Sequence, residues 1–415
     1  MYHVIRENKQ LTVKSVCCIT VQYLLILTVV LSNTIWTRVD RIPITQASLT
    51  FLFGLFSLLL SFLNITQSHE LKLTRVVVIN IVISTIVLMV SIIPQKRNNL
   101  IYLFYVVFPM LSFELYYGSE DFPEAFWKRY VNVVTVLCLV SLVFYLIGTV
   151  FRLMPATSVV RYKWGFDCNC NSWFNIYYES YYGRSSILDF LPRKNTGLYP
   201  EPPMYMIVVG LAIAAEMSFS DKPRRFPLII EVITLISIMS TTGLLFLVLI
   251  MVVLFMVTGR RRQTLKVLAF PVVVLIAIIV ILEIFNSKYS SLTGEESMGI
   301  HIDHMMTAFK LWLEHPVFGI GYGMSDVFER AANYHQGASI GLPLFLAYSG
   351  LWTGLLYFIP LIRSILYSIK FNGKYLYFVL GSFFLLFTTS VNYLPIMFLI
   401  FGFIIMDKPM NNKFV

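Results

Sequence analysis

The residues best suited to chemistry lie in one polar stretch, 295–356, of an otherwise apolar chain. This stretch holds four of the six histidines: His301, His304, His315 and His335. A neutral imidazole can take a proton from a hydroxyl at ordinary pH. His335 is the best candidate for such a base, because it lies just before an apolar helix and close in sequence to Asn333 and Arg330. A lone histidine is more often structural, and His315 is expected to act at a helix end.

A glycine-rich turn from His315 to Gly323 divides the same stretch. Pro316 ends the amphipathic helix before the turn, because proline cannot continue a helix. Gly319, Gly321 and Gly323 alternate along the turn and allow its backbone to come close to another segment. We interpret these residues as shaping the loop rather than as reacting groups.

Cations and aromatic rings fill a second polar segment, 154–200, which includes Arg161, Arg184, Arg193, Lys194 and Tyr199. Such side chains form a good surface for sugars and phosphates. The alternative is an aromatic belt at the membrane interface, which composition alone favours. Arg193 and Lys194 predict either a clamp for a lipid diphosphate or cations snorkelling from a helix end. Glu201 is costly at this depth unless paired, and one of these two cations is its expected partner.

The composition is that of a membrane protein. The chain has 415 residues, of which 57% are hydrophobic and 13% charged, whereas soluble proteins average roughly 25% charged residues. We predict an all-α polytopic fold with about twelve membrane helices of about 20 residues. They are expected near 15–36, 48–66, 76–95, 99–117, 130–153, 202–219, 227–240, 241–258, 267–286, 341–362, 375–391 and 394–407.

The net charge of +10 is explained by basic residues on cytoplasmic loops, so no nucleic-acid partner is predicted. Twelve spans put both termini in the cytoplasm and both long polar segments outside. The alternative, one bent helix over 227–258, would put the basic C-terminal residues outside. The predicted regions are helices one to five (1–153), a first long loop on the outer face (154–200), helices six to nine (201–286), a second long loop on the outer face that contains the candidate base (287–340) and helices ten to twelve (341–415).

The five cysteines do not form a metal framework. Cys168 and Cys170 form a Cys-x-Cys in a polar loop with no histidine cluster, so a free or locally oxidised pair is favoured over a zinc site. No metal and no cofactor are expected. The apolar segment 15–36 is longer than a signal-peptide core and predicts an uncleaved first helix.

Three segments in order resemble the O-antigen polymerase and O-antigen ligase superfamily of bacterial envelope glycosyltransferases. The first, Arg193 to Pro202, is similar to its basic-x-x-Gly-aromatic-x-Glu-Pro approach, and the second, Ser240 to Leu244, to its Ser-x-Gly helix. The third runs from Glu314 to Gly323, followed by His335-Gln336 and Ser349-Gly350-Leu351. Two departures stand out. Gln336 replaces the usual asparagine, and His301, Asp303 and His304 stand where the family usually has an arginine.

The resemblance implies a donor glycan on undecaprenyl diphosphate, at the periplasmic face of the inner membrane, and a sugar hydroxyl as acceptor. His335 would be the base. Arg193 and Lys194, with Arg161, Arg184 or Arg330, would neutralise the departing diphosphate, so that no metal is required. A single displacement would invert the anomeric centre. Membrane lipid, a chain-length regulator and a flippase are the other implied partners.

The polymerase branch is preferred because of the Glu201-Pro202 pair and the aromatic, lysine- and asparagine-rich composition. The alternative within the superfamily is a ligase that transfers glycan to lipid A core. A flippase or other transporter is an alternative from a different class, and it would use an ionisable residue near mid-membrane such as Glu231. A membrane scaffold without chemistry is the third.

Overall fold

The computed structural model describes residues 13–39, 42–68, 75–119, 123–164, 166–181, 193–257, 292–334, 340–371 and 373–406. In these ranges the chain is a bundle of apolar helices with one small antiparallel sheet. The helices form because long apolar runs satisfy every backbone group within the segment, as a lipid environment requires.

Five helices precede the first predicted loop: α1 (Val13–Leu31), α2 (Gln46–Ser68), α3 (Arg75–Val90), α4 (Asn99–Ser119) and α5 (Pro123–Phe144). Each buries one side against its neighbours and exposes large apolar side chains on the other, such as Phe62 and Ile86. That distribution suits contact with lipid. A short 3-10 turn, Ile35–Arg38, follows α1, and a second, Ile93–Asn98, joins α3 to α4.

Among the described residues, eight helices follow the sheet: α6 (Pro202–Phe219), α7 (Arg225–Ile238), α8 (Thr241–Val257), α9 (Leu292–Glu314), α10 (Ser325–Ala331), α11 (Leu342–Phe371), α12 (Tyr375–Thr388) and α13 (Pro395–Met406). Every residue of α13 is buried, as is nearly all of α6, so these two helices form the centre of the bundle. The remaining helices pack around them.

Each predicted membrane span coincides with a described helix, except 267–286, which lies outside the described residues. The pair 227–240 and 241–258 forms two helices, because Met239 takes a left-handed conformation (φ 47°) that ends α7. Seven described helices are long and apolar enough to cross a membrane, and α8, α12 and α13 are apolar but shorter. The count of twelve crossings and the placement of the termini stay predictions.

The prediction of an all-α fold is wrong for the segment 154–200. This segment contains a three-stranded antiparallel sheet of β1 (Ser158–Trp164), β2 (Phe166–Trp173) and β3 (Tyr177–Glu179), in that order. In β1, Val160, Tyr162 and Trp164 point inward while Arg161 and Lys163 point outward, the alternation of a half-buried strand. The pattern was present in the sequence, but its basic and aromatic composition indicated a loop.

Candidate functional site

The glycine-rich turn packs against a break in α11. At Gly350 the helix takes a non-helical conformation (φ 67°, ψ −176°), which leaves nearby backbone groups without their usual helical partners. The turn supplies partners on one side of the break. The N–H of Ile320 donates to the carbonyl of Ala347 at 2.9 Å, and that of Gly321 donates to the carbonyl of Tyr348 at 3.0 Å.

The other side of the break bonds to the same turn. The N–H of Leu351 donates to the carbonyl of Pro316 at 2.8 Å, and the N–H of Trp352 donates to the carbonyl of Val317 at 2.9 Å. These bonds compensate the backbone groups that the break exposes. The turn and the break in α11 are therefore one structural unit, and neither can form alone without losing backbone hydrogen bonds.

Two glycines allow this close packing. Gly319 has a φ of 68°, and a Cβ there would lie 2.5 Å from the carbonyl carbon and oxygen of Tyr348. A Cβ at Gly350 would lie 2.2 Å from the carbonyl oxygen of Val317. Both positions combine a left-handed backbone with a contact to main-chain atoms, which cannot move aside as a side chain can.

The far end of the turn is held by the link between α3 and α4. The amide oxygen of Gln95 accepts a hydrogen bond from the N–H of Tyr322 at 2.7 Å. The amide nitrogen of Asn98 donates to the carbonyl of Tyr322 at 2.8 Å. Neither residue was singled out from the sequence, because side-chain amides in a short polar link carry no distinctive pattern.

A second anchor holds the chain that leads to His335. One carboxylate oxygen of Asp303 accepts hydrogen bonds from the backbone N–H groups of Asn333, at 2.9 Å, and Tyr334, at 3.2 Å. The other accepts one from the side-chain amide of Asn333. The fully buried His304 lies with its Nε2 3.0 Å from the carbonyl of Tyr334. That carbonyl can only accept, so Nε2 carries the proton.

Asp303 bears its negative charge firmly. Burial alone would raise the pKa of this carboxyl, but hydrogen bonds from Asn333 and Tyr334 outweigh burial and lower the pKa below its ordinary value. In the sequence, Asp303 and His304 stand where the resembling family usually has an arginine, and neither was assigned a role. The structure shows both positioning the backbone at 333–334. His335, Gln336 and Arg184 lie outside the described residues.

The cation predicted to contact a diphosphate at the end of the first loop is already paired. Nη1 of Arg193 lies 3.1 Å from a carboxylate oxygen of Glu179, whose side chain is only 9% exposed. The carbonyl of Arg193 accepts a hydrogen bond from the hydroxyl of Tyr145 at 2.9 Å. Glu179 belongs to β3, so the sheet brings the two charges together. Lys194, next in the chain, is half-buried.

Arg193 or Lys194 was the expected partner of Glu201, but Arg193 pairs with Glu179. The carboxylate of Glu201 accepts a hydrogen bond from the indole N–H of Trp164 instead. Burial raises the pKa of Glu201 to about 6, although the bond from Trp164 opposes the shift. The partner could not be found from the sequence, because it lies on a strand that was interpreted as loop.

Two further predicted cations, Arg161 and Arg330, lie on the surface. Arg161 pairs with Asp167, and its side chain is 71% exposed. Arg330 lies 3.0 Å from Asp326, and its side chain is 75% exposed. Exposed pairs of this kind contribute little to stability, but each carboxylate offsets the charge that its arginine would offer to an anion.

Tyr199 lies in the core. Its hydroxyl donates to the carbonyl of Val30 at 2.7 Å, and its ring stacks on that of Tyr205 with 5.1 Å between centroids. It is 1% exposed, so its expected contact with substrate is replaced by packing between α1 and α6.

Within the ranges that the structure describes, no three histidine, cysteine or acidic side chains lie close enough together to hold a metal ion. Cys168 and Cys170 are buried thiols on β2 and are not joined by a disulfide.

Comparison with known proteins addresses the second half of the chain. Residues 226–345 match a family model described as O-antigen ligase. The matched segment contains both the glycine-rich turn and the anchor at Asp303. Comparisons with curated proteins and with solved structures gave no match. The family implies a glycosyltransferase-like enzyme, and the apolar helices agree with a multi-pass membrane protein. This match over residues 226–345 confirms the resemblance to the O-antigen polymerase and ligase superfamily that the motifs indicated.

Proposed function

We propose that this protein is an O-antigen or capsular polysaccharide polymerase of the bacterial inner membrane. It would transfer the growing glycan from undecaprenyl diphosphate to a sugar hydroxyl of the next lipid-linked repeat unit. The observation that carries the proposal is the match over 226–345, the part of the chain that contains the glycine-rich turn and the anchor at Asp303. The Glu201-Pro202 pair favours a polymerase over a ligase, and the basic residues assigned to inner loops favour a periplasmic site.

His335 is the proposed general base. The two residues before it are fixed by Asp303 and His304 through four hydrogen bonds. Such support is what a base needs, since a proton-transfer group must be held within hydrogen-bond reach of its substrate. The imidazole would take the acceptor's hydroxyl proton while the hydroxyl oxygen forms a bond to the anomeric carbon. The bond from that carbon to the diphosphate oxygen breaks, and the diphosphate leaves with the electron pair. A single displacement inverts the anomeric centre.

The departing diphosphate needs positive charge nearby, because preorganised cations stabilise the charge that develops in the transition state. Arg193, Lys194, Arg161, Arg184 and Arg330 are the proposed sources. Among the described cations that pair with a carboxylate, Arg193 is the best placed, since its side chain is half-buried at the end of the first loop. It would have to share its charge with Glu179 when it binds substrate. The proposal needs no metal ion, because these cations carry the charge.

The decisive experiment is reconstitution of purified protein with lipid-linked repeat units, with the products separated on a gel. We expect a ladder of lengths from wild type and none from His335→Ala. His69→Ala is the matched control, because it removes a histidine between α2 and α3, on the side assigned to the cytoplasm. A normal ladder from His335→Ala at wild-type protein level would make the base assignment wrong. Transfer only after lipid A core is added would identify a ligase.

A transporter is the second candidate, and one observation favours it. Glu231 is fully buried on α7, where the hydroxyl of Thr135 donates to one carboxyl oxygen at 3.1 Å. The other oxygen has no partner in the described part of the chain. Ionisable groups at such depth often mark transport pathways. Glu231→Gln that blocks translocation of the lipid-linked sugar and leaves polymerisation intact would favour transport.

A further inference from the structure

Arg38 is a half-buried cation with no carboxylate partner in the described residues. It ends the 3-10 turn after α1, and its Nη2 lies 3.2 Å from the amide oxygen of Gln46 and 3.5 Å from that of Asn33. The guanidinium carbon lies 4.8 Å from the centroid of the Trp164 ring. Its Nε is buried and has no hydrogen-bond partner in the part of the chain that the structure describes. Neutral amides and an aromatic face therefore hold this charge.

The contrast with the other arginines is electrostatic. Each described ion pair joins an arginine to a carboxylate: Arg161 to Asp167, Arg193 to Glu179, Arg224 to Glu216 and Arg330 to Asp326. Arg38 is in none of them. Burial lowers the pKa of Arg38, but a guanidinium stays charged in proteins. No acidic side chain in the described residues thus compensates its positive charge. An anion is expected to bind more favourably to Arg38 than to an arginine that already pairs with a carboxylate.

Arg38 also lies where the proposed reaction needs a cation. The N–H of Ile35 donates to the carbonyl of Leu198 at 2.8 Å, which ties the turn to the segment that re-enters the bundle. The ring of Trp164 packs on Arg38, and its N–H donates to Glu201 at the start of α6. Three elements meet at Arg38: the link after α1, the sheet, and the end of the first long loop.

We propose that Arg38 binds a phosphate group of the lipid-linked substrate, with Trp164 as the platform that holds the guanidinium. The inference rests on the proposed function and adds a residue to its donor site. The side chain is partly exposed, so a phosphate oxygen can approach it. The planar fork of arginine fits two phosphate oxygens, and charge-assisted hydrogen bonds of this kind are strong.

The test measures binding of undecaprenyl diphosphate to the purified full chain in nanodiscs. Arg38→Gln is the main variant, Arg38→Lys keeps the charge without the fork, and Arg152→Gln is the control on an exposed arginine that has no role in the proposed site. We expect Arg38→Gln to weaken binding about tenfold or more, because one charge-assisted contact is lost. Arg38→Lys is expected to be intermediate and Arg152→Gln to bind like wild type. Equal binding by wild type and Arg38→Gln would overturn the proposal.

Salt dependence separates a binding role from a structural one. Loss of an ionic contact makes affinity less sensitive to salt, whereas a misplaced loop would weaken binding without changing that sensitivity. We expect Arg38→Gln to bind with a shallower salt dependence at an unchanged melting temperature. An unchanged slope, or a lowered melting temperature that accounts for the loss, would overturn the binding role.

Two further ligands identify the source of the phosphate. Inorganic diphosphate tests for a free anion, and nanodiscs with or without phosphatidylglycerol test for a phospholipid headgroup. We expect undecaprenyl diphosphate to depend on Arg38 in both lipid compositions; dependence only of phosphatidylglycerol binding would overturn the substrate assignment. The assay needs no turnover. If wild type forms a ladder but binding does not depend on Arg38, only this inference is refuted. If binding depends on Arg38 but wild type forms neither a ladder nor a ligase product, only the proposed polymerase is refuted.

Discussion

The carboxylate of Asp303 on α9 holds Asn333 through both its backbone N–H and its side-chain amide. These residues are thirty positions apart, and the contact fixes the backbone two positions before His335. The neighbouring His304 holds the next carbonyl, that of Tyr334. Two adjacent side chains on one helix thus bind the N–H groups and a carbonyl of the same short backbone segment. This arrangement ties the geometry of the proposed base to α9.

Asp303→Ala is expected to reduce the rate of ladder formation at least tenfold while the protein remains folded. The reason is that a loosened backbone at Asn333 and Tyr334 would misplace the base, and small misplacements of catalytic groups cost about two orders of magnitude in rate. Initial rates in the reconstituted assay measure the effect. Lys310→Ala, an exposed change on the same helix, is the control. If Asp303→Ala polymerises at the rate of wild type, the anchor has no catalytic role.

Gly319→Ala is expected to destabilise the protein more than Gly321→Ala. Both glycines have positive φ, and such strain costs on the order of 1–3 kcal/mol. A Cβ at Gly319 also meets the backbone of Tyr348 at 2.5 Å, whereas at Gly321 the nearest atom is a side-chain oxygen of Gln95 at 3.4 Å. Melting temperatures in detergent measure the difference.

The control for these glycine variants is Gly373→Ala, where φ is not positive and the nearest atom, on Val257, lies at 3.4 Å. We expect this variant to melt close to wild type. Equal melting temperatures for Gly319→Ala and Gly321→Ala would show that the turn can move away from α11. The turn and the break in α11 would then not be one structural unit.

The helices could be predicted from the sequence because apolar length alone decides them in a membrane protein. The glycine-rich turn was also visible, since Pro316 and alternating glycines restrict the backbone locally. The break in α11 at Gly350 was not predicted. Its non-helical conformation is stable only because carbonyls of Pro316 and Val317 accept the freed N–H groups, and local sequence does not encode that distant contact.

Charge partners could not be predicted for a similar reason. Arg193 pairs with Glu179 only because β3 folds back beside it, and Glu201 bonds to Trp164 only because β1 ends there. Neighbours in sequence suggested a different pairing. Arg38 was not singled out from the sequence, because its lack of an acidic partner among the described residues can be recognised only once the neighbouring side chains are in place.

Arg224→Ala is expected to lower the free energy of unfolding by about 3 kcal/mol, since removal of one partner leaves a buried charge uncompensated. Glu216 is 1% exposed, and its carboxylate accepts hydrogen bonds from the guanidinium and the backbone N–H of Arg224 at 2.7 Å each. Denaturant titration in detergent measures the change. Glu216→Gln in the same protein should recover most of the loss, because the buried group is then neutral.

The control for this pair is Arg330→Ala, which breaks an exposed pair with Asp326. It is expected to cost less than about 1 kcal/mol. If both arginine variants cost the same, burial of Glu216 does not determine the strength of its pair.

Glu201 predicts a pH dependence of stability. Burial raises its pKa from 4.5 to about 6 in the folded protein. Between these values the folded state binds more protons than the unfolded state, so stability falls as pH rises through this window. Above pH 6 the penalty is complete, at about 2 kcal/mol.

Glu201→Gln keeps an acceptor for the Trp164 N–H but cannot ionise. It should therefore melt above wild type at pH 7.5 and converge with it near pH 4.5. Glu314→Gln, at an exposed position, is expected to follow wild type throughout. Parallel melting curves for wild type and Glu201→Gln would show that the carboxyl ionises without cost, and hence that water reaches it in the folded protein.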